Sequence, residues 1–113
     1  LLRNQGTVDG IWASFDGQAY IIDDLLKAQG VKKGQIPLVS VDGGPESLRR
    51  IADPDSTFLA TISIPFEEMG AQAVEAVDKI VVKKQPASSV TNGSYMFVDA
   101  VLIDSSNVKN YMK

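Results

Sequence analysis

The fold of this 113-residue chain is decided by residues 36–52, which read IPLVSVDGGPESLRRIA. The apolar, β-branched run Ile36–Val41 predicts a buried strand. Turn-forming residues at positions 42–44 end that strand. Pro45 then predicts the first turn of a short helix that reaches about Ala52, because proline lacks the backbone donor that a first turn leaves unused. The segment is therefore a unit of strand, turn and helix.

The same order of elements is predicted on both sides of this unit. Upstream, a strand over residues 8–13 leads to a helix that ends near Gly30, with Asp16 as its predicted N-cap. Downstream, a strand over residues 58–64 precedes the longest predicted helix, over residues 66–83. Strands that alternate with helices predict a parallel sheet covered on both faces, a three-layer α/β/α fold.

The last predicted element is an extended run over residues 95–103. Trp12 lies inside the first predicted strand and is expected to pack against a helix. The acidic pairs Asp23-Asp24 and Glu67-Glu68 lie on predicted helices, and adjacent helical residues point apart. Both pairs are therefore expected in solvent.

Composition excludes several classes of function. The chain has no cysteine and no histidine, so it lacks the usual zinc, iron–sulfur and haem ligands and the residues of Cys-His and Ser-His-Asp catalysis. We therefore predict no catalytic residue, no metal and no cofactor. Eleven basic against fourteen acidic residues, without a basic run, argue against nucleic acid as a partner. The polar residues 3–5 do not fit a signal peptide, so a targeting signal is not expected in this chain.

The predicted architecture places a ligand site at one edge of the sheet. In open α/β sheets, ligands bind beyond the carboxyl ends of the strands. Ser14, Phe15 and Asp16 follow the first predicted strand, Asp42 follows the second, and Ile64 stands at the end of the third. Carboxylates accept hydrogen bonds from hydroxyl groups, and an aromatic face covers the C–H face of a sugar ring. These residues predict a site for a polyhydroxylated ligand.

Four blocks of sequence resemble one known family in their order and spacing, although no single block is specific. They are VDGIWASFDGQA at 8–19, LVSVDG at 38–43, LATIS at 59–63 with EMG at 68–70, and VLID at 101–104 with Asn107-Val108. Together they resemble the C-terminal part of the type I periplasmic solute-binding proteins, the ribose- and galactose-binding family. Effector domains of LacI-type repressors share that fold. The resemblance covers nearly the whole chain.

The resemblance implies roles for single residues. Asp42 matches the aspartate that ends the family's strand and accepts ligand hydroxyls, although it could serve only as a turn residue. Phe15, which could instead belong to the core, stands where the family commonly has asparagine. Asp16 matches the aspartate after it, as an N-cap or as a ligand contact. Ile64 stands where the ribose-binding pattern has glutamine. The departures at Phe15 and Ile64 argue against the contacts of a ribose or galactose site and leave room for a different sugar, a polyol or another small polar solute, with Ser14 as a further lining residue.

The resemblance also implies a protein of two lobes. Residues 1–64 are expected to be part of the C-terminal lobe, residues 65–94 to cross to the N-terminal lobe, and residues 95–113 to form a terminal strand and tail. The chain is then expected to be a fragment. Its partner would be the N-terminal lobe or a second copy of the fragment.

Two functions follow from the resemblance. The first is the binding component of an ABC transporter for a sugar or polyol, periplasmic or lipid-anchored outside the cell, with the transporter's membrane subunits as partners. The alternative is the effector domain of a LacI-type repressor. Residues 102–108, LIDSSNV, are more typical of the transporter-linked proteins and favour the first. An enzyme ranks third, because these residues offer neither an activated nucleophile nor a metal site.

Overall fold

A four-stranded sheet organises the protein in the computed structural model, which describes residues 8–112. Its strands stand in the order β1 (Ile11–Trp12), β2 (Leu38–Asp42), β3 (Phe58–Ser63) and β4 (Val101–Asp104). The α-helices are α1 (Asp16–Ala28), α2 (Pro45–Ala52) and α3 (Phe66–Val77). A π-helical turn, Asp78–Val82, continues α3, and 3-10 turns occur at Ala87–Ser89 and Val108–Asn110. Residues 1–7, which include the polar residues 3–5, and Lys113 lie outside the described residues.

The predicted alternation of strands and helices is confirmed, and the fold is α/β. Strands β1, β2 and β3 are parallel, whereas β4 is antiparallel to β3. β4 begins only at Val101, so most of the extended run predicted from residue 95 is not strand. The helix predicted over residues 66–83 changes from α to π geometry after Val77. Gly30 has the left-handed conformation expected after a helix, with φ of +76°.

Helices α1 and α2 pack side by side on one face of the sheet. The Tyr20 ring of α1 meets the Phe58 ring of β3 edge-on at 6.4 Å, and its hydroxyl lies 2.9 Å from the hydroxyl of Ser47 on α2. The buried core lies between these helices and the strands, and it comprises Ala13, Ala19, Leu38, Leu48, Ile51, Phe58, Ile103 and Val108. Burial of these side chains is the main term that stabilises this packing.

A register shift in β3 sends two of its residues toward the helices. Leu38 pairs with Phe58, but the next residue of β2, Val39, pairs with Ala60. The extra residue, Leu59, forms a bulge, so Phe58 and Thr61 lie on the same face although they are three positions apart. Phe58 fills the core there and is fully buried.

The opposite face of the sheet carries Trp12 and Leu102. Trp12 pairs with Val39, and Leu102 pairs with Ile62. Side chains alternate along a strand, so these residues point away from the face that holds Ser40 and Thr61. Trp12 is 68% exposed and Leu102 is 53% exposed. The prediction that Trp12 packs against a helix is therefore wrong for the described residues, because α1 and α2 cover the other face.

The described chain forms two compact units, residues 8–64 with 101–112 and residues 65–100. The first contains the sheet, α1 and α2. The second contains α3, in which Ala76 is buried while Val74 and Val77 are 72% and 57% exposed. Among the described residues, we find no helix with the length and apolar character that crossing a membrane requires.

Candidate functional site

Three loops meet at the carboxyl end of the parallel strands. The backbone N–H of Asp16, after β1, lies 3.4 Å from Oδ2 of Asp42, at the end of β2. The N–H of Ile64, after β3, donates to the backbone oxygen of Asp42 at 3.0 Å. The structure thus brings together Asp16, Asp42 and Ile64, three of the predicted site residues, around the end of β2.

Asp42 occupies an unusual backbone conformation at the centre of this cluster. Its φ is +133°, in a region of backbone conformation that residues other than glycine rarely adopt. The side chain is half-buried. Among the hydrogen bonds of residues 8–112, its Oδ2 accepts from Asp16, whereas Oδ1 accepts from no group. Asp42 is therefore a strained residue with a carboxylate oxygen still available to a ligand hydroxyl.

The next residue, Gly43, lies so close to Ser63 that any side chain at this position would collide with it. Its φ is +80°, and a Cβ at this position would lie 2.5 Å from the Cα, Cβ and Oγ of Ser63. The loop after β2 therefore packs with its backbone directly against the end of β3. This contact fixes where the Asp42 carboxylate stands relative to β3.

Asp16 is a buried carboxylate, only 3% exposed, and its two oxygens accept four hydrogen bonds. Oδ1 accepts from the hydroxyl groups of Ser40 on β2 and of Thr61 on β3, the latter at 2.8 Å. Oδ2 accepts from the backbone N–H groups of Gly43 at 2.8 Å and Gly44 at 3.0 Å. One carboxylate thus ties the start of α1 to two strands and to the loop after β2.

The prediction that Asp16 caps α1 is wrong. The N-cap residue is Phe15, which has extended backbone and makes no side-chain capping bond, and Asp16 is the first helical residue. The Asp16 carboxylate points to β2 and β3 instead, because two hydroxyl groups and two free N–H groups are held there at hydrogen-bonding distance. Its position in the first turn still suits the helix dipole.

Phe15 and Ser14 form the exposed side of the site. The Phe15 ring is 46% exposed and lies against Gly17, where a Cβ would come within 2.9 Å of ring atom Cε2. Gly17 thus lets the ring lie close to the start of α1. Ser14 is exposed, and its hydroxyl donates to Oε1 of Gln18 at 2.9 Å. Ile64 is half-buried at the end of β3.

Solved structures with the same arrangement of elements are known. A crystal structure of an ABC transporter solute-binding protein from Agrobacterium vitis, with bound allitol, matches with a TM-score of 0.80 and 26% identity over 97% of this chain. An ABC sugar transporter subunit from Rhodobacter sphaeroides matches with a TM-score of 0.76 and 31% identity over 93% of the chain. A galactofuranose-binding protein shares the fold at 20% identity and a TM-score of 0.77. The chain has the type I periplasmic binding-protein fold.

This result confirms the resemblance and the fold class predicted from the sequence. The chain spans 34–35% of the length of these solved proteins. No protein-family model matches it, and comparison with curated proteins finds no match. In open α/β sheets, ligands bind beyond the carboxyl ends of the strands, and Asp42 lies at such a strand end.

Two residues that hold Asp16 in place, Ser40 and Thr61, are not among the site residues predicted from the sequence. Ser40 and Thr61 are polar, almost fully buried and placed within otherwise apolar strands. That position was the signal, because a buried hydroxyl group requires a hydrogen-bond partner. Their shared partner, Asp16, lies 24 and 45 residues away in sequence, so its identity could not be read from local pattern.

A second buried aspartate, Asp23, lies seven residues, about two helical turns, further along α1. Asp23 is fully buried and accepts hydrogen bonds from the N–H and hydroxyl of Thr57, from Ser56 and from Arg50. The expectation that Asp23 is solvated is therefore wrong, whereas Asp24 is exposed as expected. Both carboxylates contact Nη1 of Arg50, at 2.8 and 2.6 Å, because α2 brings that guanidinium to the side of α1. Glu67 and Glu68 are both exposed, as predicted.

The hydrogen bonds to Asp23 determine its charge state. Burial acts to raise the pKa of this carboxyl, but the donors of Thr57, Ser56 and Arg50 outweigh burial, and the pKa lies below its ordinary value. Asp23 therefore remains ionised, and its negative charge faces the guanidinium of Arg50. This cluster lies at the amino end of β3, away from the strand ends that carry Asp42, and it serves the packing of α1, α2 and β3.

Proposed function

We propose that the chain is part of the solute-binding component of an ABC transporter for a sugar or a polyol. In this proposal the solute is held at the carboxyl ends of the strands by Asp42, Phe15, Ser14 and Ile64, with Asp16 contacting the loop that carries Asp42. The role is binding and not catalysis. A hydroxyl group of the solute donates to Oδ1 of Asp42, and the exposed Phe15 ring covers an apolar face of the solute.

The backbone conformation and the hydrogen bonding of Asp42 carry this proposal. A strained, half-buried carboxylate stands where three loops converge, and among the described residues one of its oxygens has no hydrogen-bond donor. Strain of this kind is retained where the surrounding contacts enforce it and is concentrated at functional sites. The allitol bound by the Agrobacterium vitis protein supports a polyol or sugar as the ligand class.

The proposal includes the partners and the location of the complete protein. Residues 1–64 belong to the C-terminal lobe, residues 65–94 cross to an N-terminal lobe, and residues 95–113 form the terminal strand and tail. The N-terminal lobe, or a second copy, closes the site over the solute, and the membrane subunits of the transporter receive it in the periplasm or at the cell surface. The two solute-binding and sugar-transport structures above 25% identity favour this role over that of a LacI-type effector domain.

The test is thermal unfolding of the full-length protein with a panel of pentoses, hexoses, polyols including allitol, and nucleosides. A solute at a hundred times its Kd adds about 2.7 kcal/mol to the free energy of unfolding, which raises the midpoint by several degrees. We expect at least one sugar or polyol to produce such a shift. A cooperative transition that no member of the panel moves would contradict the proposed ligand class.

A pair of variants tests the site. Asp42→Ala removes the carboxylate at the end of β2 and is expected to weaken solute binding about tenfold or more, as loss of a charged hydrogen bond does. Asp55→Ala makes the same change of charge at an exposed position before β3 and should leave the Kd unchanged. If a folded Asp42→Ala variant bound the solute as tightly as the wild type, the site assignment would be wrong.

A further inference from the structure

The carboxylate of Asp16 contacts the Asp42 loop from two directions. Its Oδ2 accepts from the N–H groups of Gly43 and Gly44, which directly follow Asp42. Its own backbone N–H faces Oδ2 of Asp42 at 3.4 Å. The two aspartates are therefore reciprocal partners, each placing a carboxylate on backbone N–H groups of the other's segment.

These contacts hold the Asp42 backbone in its strained conformation. A φ of +133° at a residue with a side chain is unfavourable and persists only when neighbouring contacts enforce it. The bonds from Gly43 and Gly44 to Asp16 hold the chain immediately after Asp42, and the bond from Ile64 holds its carbonyl oxygen. Ser40 and Thr61 in turn fix Oδ1 of Asp16.

We propose that Asp16 is a positioning residue for solute recognition, which rests on the proposed function of Asp42. The Asp16 carboxylate keeps the Asp42 backbone in its strained conformation and occupies Oδ2 of Asp42 through its own N–H, so that Oδ1 faces the solute. Asp16 acts through Asp42 and does not touch the solute, because it is buried and each of its oxygens already accepts two hydrogen bonds.

The substitutions Asp16→Asn and Asp16→Ala differ in how many of the hydrogen bonds of Asp16 they preserve. In Asp16→Asn the amide oxygen can accept from Gly43 and Gly44, while the amide NH2 donates to the hydroxyl groups of Ser40 and Thr61, which can also act as acceptors. In Asp16→Ala all four partners lose their acceptor. Asparagine should therefore preserve the geometry of Asp42, and alanine should not.

Asp23 supplies a matched structural control. It is also a buried aspartate of α1 that accepts from a backbone N–H and from hydroxyl groups, but its partners lie at the opposite end of β3. Asp23→Ala should lower the unfolding midpoint about as much as Asp16→Ala does, because both changes leave buried donors unsatisfied. A merely structural role for Asp16 would make the two alanine variants behave alike in solute binding.

The experiment measures the Kd of the full-length protein by calorimetry, with allitol as the first probe and then the solute that most raises the wild-type midpoint. The temperature is one at which every variant is folded by circular dichroism. We expect Asp16→Ala to raise the Kd about tenfold or more, Asp16→Asn to stay within about threefold, and Asp23→Ala to match the wild type. An unchanged Kd in Asp16→Ala, or an equal rise in Asp23→Ala, would overturn the inference.

A second readout does not depend on a solute. The amide hydrogens of Gly43 and Gly44 should be protected from exchange in the wild type, Asp16→Asn and Asp23→Ala, and should lose that protection in Asp16→Ala. Retained protection in Asp16→Ala would overturn the inference by itself. If the wild type bound no sugar or polyol while Asp16→Ala still released these amides, the proposed function would fail and the control of the Asp42 loop by Asp16 would stand.

Discussion

At the scale of single residues, Gly43 shows how closely the site loop packs. A Cβ there would lie 2.5 Å from the backbone and side chain of Ser63, and the φ of +80° is also unfavourable for any other residue. We predict that Gly43→Ala lowers the free energy of unfolding by more than about 3 kcal/mol, because the positive φ costs about 1–2 kcal/mol and the collision with backbone adds to it. Urea unfolding of the variant measures this loss.

Gly30 provides the matched control. Its φ is +76°, but a Cβ there would meet nothing within 4 Å. Gly30→Ala should therefore cost only the conformational term, about 1–2 kcal/mol. Equal losses in the two variants would mean that a Cβ at position 43 adds no cost through collision with Ser63, and this result would contradict the prediction.

The site could be predicted from the sequence only as far as its residues lie next to strand ends. The positions of Asp42, Phe15 and Ile64 at the strand ends could be predicted because a strand, a turn and a helix can be recognised locally, and the ends of parallel strands share one edge of a sheet. The partners of Asp16 could not be found in this way. Gly43, Gly44 and Thr61 lie 27 to 45 residues beyond it, and only the folded chain brings their donors to one carboxylate.

At the scale of elements, Asp23 and Arg50 join α1, α2 and the start of β3. Asp23 is fully buried, and its pKa lies below the ordinary value because the donors of Thr57, Ser56 and Arg50 outweigh burial. A carboxyl whose folded-state pKa is depressed adds stability above its unfolded pKa of about 3.9, and this stability is lost as the pH falls through the folded value. The joint should therefore weaken below about pH 4.

We predict that Asp23→Asn destabilises the protein by about 2–3 kcal/mol at pH 7, because an amide NH2 faces either Arg50 or the N–H of Thr57. The same variant should lose less stability than the wild type when the pH is lowered from 5 to 3. The exposed neighbour gives the control, since Asp24→Asn should cost less than about 1 kcal/mol at pH 7. Urea titrations at several pH values measure both, and identical pH profiles for wild type and Asp23→Asn would contradict the prediction.

The identity and order of the elements could be predicted, whereas two of their relationships could not. Pro45 marks the start of α2 and Gly30 follows the end of α1, so these two boundaries are set by local sequence. The antiparallel direction of β4 depends on how the chain returns after α3, and no local pattern encodes that path. The sequence places Trp12 in a strand, but it does not show which face of the sheet α1 and α2 cover. That face is decided by how the helices pack, and Trp12 lies on the other one.

At the scale of the whole molecule, buried contacts are distributed unequally between the two units. In α1, which has 13 residues, Asp16, Ala19, Asp23 and Leu26 are buried. In α3, which has 12 residues, the buried residue is Ala76, while Val74 and Val77 are exposed. Helices of nearly equal length have similar intrinsic stability, so tertiary packing decides how often each one opens.

We therefore predict that, in the 113-residue chain, the amide hydrogens of α3 exchange about a hundredfold faster than those of α1, which corresponds to about 2.7 kcal/mol in the free energy of opening. Hydrogen exchange read by mass spectrometry measures this ratio, and a dilution series controls for self-association. Equal protection in dilute solution would contradict the prediction.

In the full-length protein, where we propose that residues 65–94 cross to a second lobe, the same amides of α3 should become as protected as those of α1. Because exposed Val74 and Val77 gain cover only if that lobe packs on α3, unchanged rapid exchange there would argue against the proposed crossing.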